Sequence, residues 1–315
     1  MILEHFDDFL LHLQTNNYST ETIYNYERDL KVFENFLNDS KIGFGKIDKT
    51  TIAYYKAYLV SRDRKTAISL LQRQKQLASI SVNRILSSLR SYLKFLIEMD
   101  YHCPIAPDAV KLVKTERKHP RVAELVDLVR LIESPTVLEK DKMVALRNRA
   151  VLEVLFSTGM RISELCSLNR DQIDDTGRIF IQGKGKKQRF VYLTPRAKLH
   201  LENYLATRND RFSALFIPYR GRGVPSNQKR VSTNYLQERI KQYREKLKIN
   251  VPTSAHSLRH GFATYLAEEG ASPAAIQILL GHESLDTTTR YVHPSDKFAQ
   301  ESHKKYHPLA KSDEN

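Results

Sequence analysis

The sequence predicts a mainly α-helical protein with one small antiparallel β-sheet. Three observations lead to this fold class. Apolar residues recur at alternating steps of three and four along most of the chain, which is the spacing of one face of an α-helix. The segment RIFIQGKGKKQRFVYL differs, because two β-prone runs flank a turn-forming GKGKKQ stretch and so predict a hairpin. A length of 315 residues with 41% apolar content is enough for two hydrophobic cores.

The first hundred residues predict consecutive helices. MILEHFDDFLLHLQ carries acidic residues among its apolar ones and has no basic leading region, so it predicts an amphipathic helix and not a signal peptide. Ser19 is a good N-cap for the next helix, whose apolar residues run from Ile23 to Leu37 at helical spacing. Gly43 interrupts the pattern, and Asp48 begins a third helix through TTIAYYKAYLVSR.

A further helix is predicted from about Ser81 to Met99. One side is apolar, and the other interleaves cations with small hydroxyls, which suits a helix laid against a phosphate backbone. A plain solvated face explains the same pattern equally well. The preceding polar stretch, 63–79, fits either a helix extension or a mobile insertion. The candidate DNA-binding residues of this helix are Arg84, Ser87, Ser88, Arg90, Ser91 and Lys94.

The segment YHCPIAPDAVKLVKTERKHPRVAE predicts an interdomain linker. It has three prolines, little periodicity and several cations, of which Lys118 and Arg121 are further candidates for DNA contact. The predicted organisation is a helical DNA-binding domain over 1–103, a basic linker over 104–118, and a second domain over 119–315 that ends in an amphipathic, basic segment.

Charge and cysteine content limit the classes of partner. A net charge of +14 favours a polyanionic partner, most often nucleic acid, over a basic protein with no such role. Cys103 and Cys166 lie far apart without a CxxC pattern, which predicts reduced thiols in a cytoplasmic protein and no metal site of the usual kind. No apolar run reaches the roughly 18 residues of a membrane span, so no membrane association is expected.

The second domain carries a set of polar residues suited to phosphate chemistry. Attack on a phosphodiester adds negative charge to its non-bridging oxygens, which metal ions or fixed cationic donors can neutralise. Arg161 enters a helix just after Gly159, and its guanidinium can grip two phosphate oxygens. His256 and Arg259 share one helix face. Lys184 lies in the predicted hairpin turn, where an ammonium can reach a leaving oxygen.

The last two members of the set follow in the C-terminal region. His282 comes directly after Gly281, which is predicted to end a helix. Tyr291 is a possible nucleophile, although a phenol with a pKa of about 10 needs a base or proton sink at neutral pH. Each residue alone fits a plainer role in packing or capping, and His260 and His293 are left outside the set.

Taken together, GMRISEL, the lysine of QGKGKKQR, HSLRH, LLGH and TRYVH resemble the signature blocks of the tyrosine recombinase, or phage integrase, family. The order and spacing fit Xer-type site-specific recombinases best, most specifically over residues 150–293. The resemblance implies an N-terminal SAM-like core-binding domain followed by the catalytic domain. It assigns Tyr291 as nucleophile and Lys184 as general acid. The implied catalytic set is Arg161, Lys184, His256, Arg259, His282 and Tyr291.

The resemblance also implies a reaction and its partners. DNA strands would be cut and rejoined through a 3′-phosphotyrosyl intermediate and a Holliday junction, without cofactor, metal or ATP. The partners would be duplex DNA with a short near-palindromic site, in a homotetramer or a heterotetramer with a paralogous recombinase, with a DNA translocase as a possible regulator. The tail SDKFAQESHKKYHPLA would form a helix that docks on the neighbouring protomer.

Several functions remain open at this point. Within the family, resolution of chromosome or plasmid dimers at a dif-like site, which serves chromosome partition and cell division, is favoured over transposon- or phage-type integration. Other classes are a non-catalytic DNA-binding relative and a type IB topoisomerase. A metal-dependent nuclease using His256, His260 and His282 is the weakest alternative.

Overall fold

A computed structural model describes residues 3–61, 76–115, 123–182, 188–219, 229–281 and 296–311, the side chains of 296–299 and 310–311 excepted. The chain forms two compact units, residues 1–118 and 119–315. Each unit is described by itself below.

The first unit is built from helices whose starts follow from local capping chemistry. The Ser19 hydroxyl accepts a hydrogen bond from the Thr22 N–H at 3.2 Å, and the Asp48 carboxylate accepts one from the Thr51 N–H at 2.7 Å. Both are N-caps that satisfy backbone donors left free at a helix start, as predicted. The helices are α1 (Phe6–Thr15), α2 (Thr20–Ser40), α3 (Lys49–Val60) and α4 (Ser79–Glu98).

An aromatic-rich core holds these helices together. Phe33 of α2 meets Tyr55 of α3 with ring centroids 4.6 Å apart, and Phe9 of α1 meets Tyr92 of α4 at 5.6 Å. All four side chains are buried, and the geometry of both pairs is edge-to-face, which adds to the stabilisation from area burial.

The predicted linker differs from expectation over its first part. A short 3₁₀ helix, Pro107–Ala109, follows α4, and Ile105 and Val110 on either side are buried in the core of the first unit. Asn83 of α4 donates to the carbonyl of Val113 at 2.9 Å and accepts from its N–H at 2.8 Å. The prolines do interrupt helical periodicity, but the apolar residues between them reach the core, so residues 105–113 pack on the first unit.

The second unit is arranged around a buried central helix, α7 (Lys142–Thr158). Every residue from Ala150 to Thr158 is buried, as expected for a helix covered on all sides. Two helices and one strand pack against it: α9 (Pro195–Leu205), α11 (Ala255–Glu268) and β2 (Gln188–Tyr192). The helices are α5 (Leu125–Glu133), α6 (Pro135–Leu138), α7 (Lys142–Thr158), α8 (Ile162–Ser167), α9 (Pro195–Leu205), α10 (Thr233–Lys246), α11 (Ala255–Glu268), α12 (Pro273–Leu280) and α13 (Asp296–Tyr306).

The predicted antiparallel sheet is present. Strand β1 (Arg178–Gln182) pairs with β2 (Gln188–Tyr192), with Phe180 opposite Phe190. The predicted turn residue Lys184 lies outside the described residues.

The C-terminal tail forms the predicted helix, α13, but packs on its own chain. His303 donates through Nε2 to the Ser157 carbonyl at 2.5 Å, and His307 donates to the Phe156 carbonyl at 3.2 Å, both at the end of α7. Both imidazoles also lie against the ring of Phe262 in α11. Burial lowers the pKa of His303 to about 4, so its ring is neutral at pH 7. Within the single chain α13 therefore packs on the end of α7, and its docking on a neighbouring protomer stays a prediction.

Candidate active site

Arg161 is positioned by the turn between α7 and α8. Gly159 ends α7 in the left-handed region, with φ of +61°, and Arg161 is the N-cap of α8. The Arg161 backbone N–H donates to Oε2 of Glu164 at 2.7 Å, and its Nη1 donates to Oε1 at 3.0 Å. The Arg161 side chain remains 42% exposed. Arg161 is therefore held by Glu164 through its backbone N–H and Nη1, while much of its side chain stays accessible.

Arg259, on α11, is held by two backbone carbonyls. Its Nη1 donates to the Gly159 carbonyl at 2.7 Å, and its Nη2 donates to the Leu280 carbonyl at 2.6 Å, at the end of α12. Burial, followed by the charges of Arg161 and Arg189, lowers the pKa of Arg259 to about 10. Arg259, a residue only 5% exposed, still carries its charge at pH 7, and these two bonds use two of its five guanidinium N–H donors.

His256 stands in the first turn of α11 on the same helix as Arg259. Its Nε2 lies 2.9 Å from Nε2 of His260, so one imidazole donates a hydrogen bond to the other. Burial, then the neighbouring His260, Arg259 and Arg161, lower the pKa of His256. A neutral His256 at pH 7 can donate or accept a proton. His260, which the sequence prediction left out, is thus the direct partner of His256, and its i, i+4 spacing on a helix was the available signal.

Two further residues of the site were missed from the sequence, Glu164 and Arg189. Arg189 of β2 donates from Nη1 to Oε1 of Glu164 at 3.0 Å and from Nη2 to Oε2 at 2.8 Å. Burial alone would raise the pKa of Glu164, but the hydrogen bonds and charge of Arg189, with the bonds from Arg161, lower it. The carboxylate is therefore ionised at pH 7. Glu164 was detectable as a capping glutamate three residues after the helix N-cap.

The structure brings together three of the six predicted catalytic residues, Arg161, His256 and Arg259. Gly281 ends α12 with φ of +64°, as predicted. The other three predicted residues lie outside the described residues and are Lys184, His282 and Tyr291.

On α4, part of the predicted DNA-binding face points inward. Ser88 is buried and donates to Oδ2 of Asp29 at 3.0 Å, and Arg84 forms an ion pair with the same carboxylate. Asp29 therefore neutralises Arg84 and occupies Ser88, so Ser88 is not available to a phosphate. The sequence shows the alternation of hydroxyl and cation, but not the buried acid of α2 that it meets.

The other candidates on this face have mixed surroundings. Arg90 pairs with Asp108 at 2.8 Å, and Ser91 lies 3.3 Å from the hydroxyl of Tyr26. Three candidates on α4 are exposed: Arg84, which is paired with Asp29, and Ser87 and Lys94. Two lie outside the described residues, Lys118 and Arg121.

Within the described part of the chain, no group of three or more His, Cys, Asp or Glu residues could hold a metal ion. Cys103 and Cys166 are free thiols, and burial raises the pKa of Cys166 to about 12. Among the same residues, no helix has the length and apolar character needed to cross a membrane.

The fold agrees with comparisons to known families. The family model of the phage integrase family matches residues 123–297, and that of the phage integrase N-terminal SAM-like domain matches residues 6–99. Because the first match covers more than half of the chain, the chain belongs to the phage integrase family of tyrosine recombinases, as the sequence motifs predicted.

The similarity to Xer-type members extends over nearly the whole chain. The chain is 33% identical over 319 residues to the tyrosine recombinase XerC of Thermodesulfovibrio yellowstonii, covering 98% of this chain and 97% of that protein. It is 32% identical over 300 residues to the tyrosine recombinase XerD of Staphylococcus epidermidis, covering 93% and 94%. The protein is therefore an enzyme, a tyrosine recombinase of the Xer/integrase type.

Solved structures support the predicted fold class. XerH site-specific recombinase bound to palindromic difH substrate, in a post-cleavage complex, is similar with a TM-score of 0.67 at 19% identity, covering 93% of this chain and 78% of that one. A lambda integrase tetramer bound to a Holliday junction also has a TM-score of 0.67, at 17% identity, covering 90% and 78%. At these identities the likeness concerns the fold, a helical SAM-like domain with an integrase catalytic domain.

Proposed function

We propose that this recombinase cuts and rejoins DNA at a specific site through a 3′-phosphotyrosyl bond to Tyr291 and a Holliday junction. The observation that carries the proposal is the convergence of Arg161 and Arg259. One guanidinium is anchored at a helix start and the other on two backbone carbonyls, with His256 on the same helix as the second.

The geometry supports electrostatic catalysis by this pair. Arg259 has three N–H donors beyond those bonded to Gly159 and Leu280, and Arg161 has four beyond the one bonded to Glu164. Two preorganised guanidiniums can bind the non-bridging oxygens of a phosphodiester and stabilise the charge that builds up there during attack. The neutral His256 would exchange a proton with the reacting oxygens.

The remaining steps are carried over from the family motifs. Tyr291 would attack phosphorus while the bond to the 5′-oxygen breaks, and Lys184 would protonate that leaving oxygen. His282 would complete the set of phosphate donors. Since the tyrosyl phosphodiester retains the energy of the broken bond, a 5′-hydroxyl of a second strand can reverse the step without ATP.

We further propose that the biological reaction is resolution of chromosome or plasmid dimers at a short near-palindromic, dif-like duplex site in the cytoplasm. The enzyme would act as a homotetramer or as a heterotetramer with a paralogous recombinase, with a DNA translocase as a possible regulator. The Xer-type relatives support this reading over integration. A plasmid carrying two directly repeated sites would be resolved into two circles, whereas an integrase would preferentially join two different sites.

The covalent intermediate provides the direct test. Genomic fragments of the source organism are incubated with the protein, and fragments that stay attached under denaturing conditions are sequenced to find the site. A duplex carrying that site with a nick beside the cleavage point should then trap a covalent adduct, because the short 3′-flanking product diffuses away.

Tyr291→Phe should abolish the adduct, since it lacks the attacking oxygen. Arg161→Ala should slow adduct formation about 100- to 1000-fold, as for removal of one oxyanion donor. An adduct formed by Tyr291→Phe at the wild-type rate would overturn the assignment. Salt-sensitive DNA binding by the wild-type protein with no adduct would indicate a non-catalytic binder instead.

A further inference from the structure

Arg189 is a buried arginine on strand β2 that directs three of its five N–H donors to protein groups. It is 9% exposed, and Nη1 and Nη2 donate to the two carboxylate oxygens of Glu164. Its Nε donates to the Leu279 carbonyl at 2.9 Å. Arg189 therefore joins the first turn of α8, at Glu164, to the last turn of α12, at Leu279. These two residues are 115 positions apart in the sequence.

The contacts of Arg189 complete a closed circuit of hydrogen bonds that links the two arginines of the site, Arg161 and Arg259. Glu164, bound by Arg189, is also bound by Arg161. Leu279, bound by Arg189, is followed by Leu280, whose carbonyl accepts from Arg259. Arg259 also binds the carbonyl of Gly159, two residues before Arg161. Because these bonds are linked, a displacement of any one group would also displace Arg161 and Arg259, the two arginines proposed to hydrogen-bond the phosphate.

Charge balance gives Arg189 a second effect on Arg161. The carboxylate of Glu164 is shared by Arg161 and Arg189, and Arg189 occupies one lone pair on each of its oxygens. Without Arg189, the buried carboxylate would have Arg161 as its remaining cationic partner and would draw that guanidinium inward. Arg161 would then be a poorer ligand for a phosphate.

Packing around the end of α12 leaves Arg189 little freedom. A Cβ placed on Gly281 would lie 3.0 Å from Cδ, 3.1 Å from Nη1 and 3.2 Å from Nε of Arg189. The Arg189 side chain is thus in close contact with the glycine that ends α12, next to the Leu280 carbonyl bound by Arg259.

From this circuit we infer that Arg189 is a positioning residue for recombination. It acts through Glu164 on Arg161 and through the end of α12 on Arg259, without itself contacting the phosphate. The inference rests on the proposed function, in which these two arginines bind the scissile phosphate.

The test uses a substrate that removes the need for full charge neutralisation. In a methylphosphonate, a methyl group replaces one non-bridging oxygen of the scissile phosphate, so the group is neutral. Single-turnover adduct formation is measured on the phosphate and methylphosphonate duplexes. The ratio of the wild-type rate to the variant rate is compared between the two.

Arg189→Met keeps the length of the side chain and removes all its donors. On the phosphate substrate it should be about 10- to 100-fold slower than wild type, less than the loss for a direct donor. On the methylphosphonate the ratio should fall to within about threefold, because a displaced Arg161 then matters little. Arg161→Ala is the reference variant. Its rate ratio should also be smaller on the methylphosphonate than on the phosphate, and this decrease is called relief below.

A matched control and a milder variant complete the experiment. Arg178→Met makes the same change on the neighbouring strand, where the Arg178 side chain is 42% exposed and pairs with Asp174. This variant should stay within about twofold of wild type on both substrates. Arg189→Lys keeps a cation beside Glu164, but its single nitrogen cannot reproduce the planar fork in which three nitrogens reach Glu164 and the Leu279 carbonyl. It should fold even if Arg189→Met does not, and it should show a smaller defect with the same relief.

The outcomes separate the inference from the proposed function. An equal loss on both substrates for the folded Arg189 variants would mean a general structural role and would overturn the inference, as would wild-type rates. Relief of Arg161→Ala without relief of the Arg189 variants would overturn the inference alone. If Arg161→Ala itself shows no relief, the phosphate-binding role in the proposed function fails as well.

Discussion

The turn that carries Arg161 requires a glycine at position 159. The substitution Gly159→Ala measures how much this glycine contributes to the stability of the second unit and to activity. Gly159 has φ of +61°, a conformation that costs an L-residue roughly 1–2 kcal/mol. A Cβ at this position would lie 2.4 Å from Cδ1 and 2.8 Å from Cε1 of Phe262, a ring fully buried in the core. Accommodating that collision adds about 1–3 kcal/mol, as for other overpacked sites.

The two contributions predict that Gly159→Ala lowers the free energy of unfolding of the second unit by about 2–5 kcal/mol. Activity should fall as well, by about tenfold or more, because the Gly159 carbonyl that binds Arg259 must move with the turn. Amide hydrogen exchange of α7 and α11 measures the stability of the second unit separately from that of the first. Adduct formation measures the effect on the site.

Gly270→Ala is the matched control. Gly270 also has a positive φ, of +90°, but among the described residues an added Cβ would meet only Cε1 of Tyr306, at 3.5 Å, which is an ordinary contact. Gly270→Ala should therefore lower the free energy of unfolding of the second unit by the backbone contribution alone, roughly 1–2 kcal/mol. If Gly159→Ala destabilises the second unit no more than Gly270→Ala does, the collision with Phe262 is not the reason for this glycine.

Two further predictions concern buried polar groups. Burial lowers the pKa of His303 to about 4 from an unfolded value of about 6.5, so the unfolded chain binds the extra proton first as pH falls. The neutral ring contributes its full share to the free energy of unfolding above pH 6.5, and this contribution is lost as pH falls toward 4. At pH 5 the loss is about 2 kcal/mol. Denaturation from pH 7 to 5 should therefore be less pH-dependent in His303→Gln. In the first unit, Asp29→Asn should cost about 1–3 kcal/mol in chemical denaturation, because Arg84 and Ser88 lose a buried charged acceptor.

Each of these has an outcome that contradicts it. A His303→Gln variant with an unchanged pH dependence would show that His303 is not held neutral against α7. For Asp29→Asn the comparison is Asp108→Asn, whose carboxylate is 88% exposed beside Arg90 and should contribute less than about 1 kcal/mol. Equal effects of the two substitutions would mean that the burial of Asp29 contributes nothing.

The sequence by itself determined the features that depend on neighbouring residues. Helical periodicity, the N-caps Ser19 and Asp48, and the helix-ending Gly159 and Gly281 act within a few positions along the chain, and all are found as predicted. The hairpin around GKGKKQ is equally local. The family followed from short motifs whose order is visible in the sequence.

Only the tertiary structure decided which polar groups face each other. The Ser88 hydroxyl meets the Asp29 carboxylate 59 residues away, and Arg189 meets Leu279 at a separation of 90. His303 lies in the polar C-terminal tail, and in the structure it is buried against Ser157, 146 residues away. Periodicity assigns a residue to a face but not to a partner, because contacts between distant segments depend on how whole helices pack. For this reason the two arginines were predicted, whereas the circuit that holds them was not.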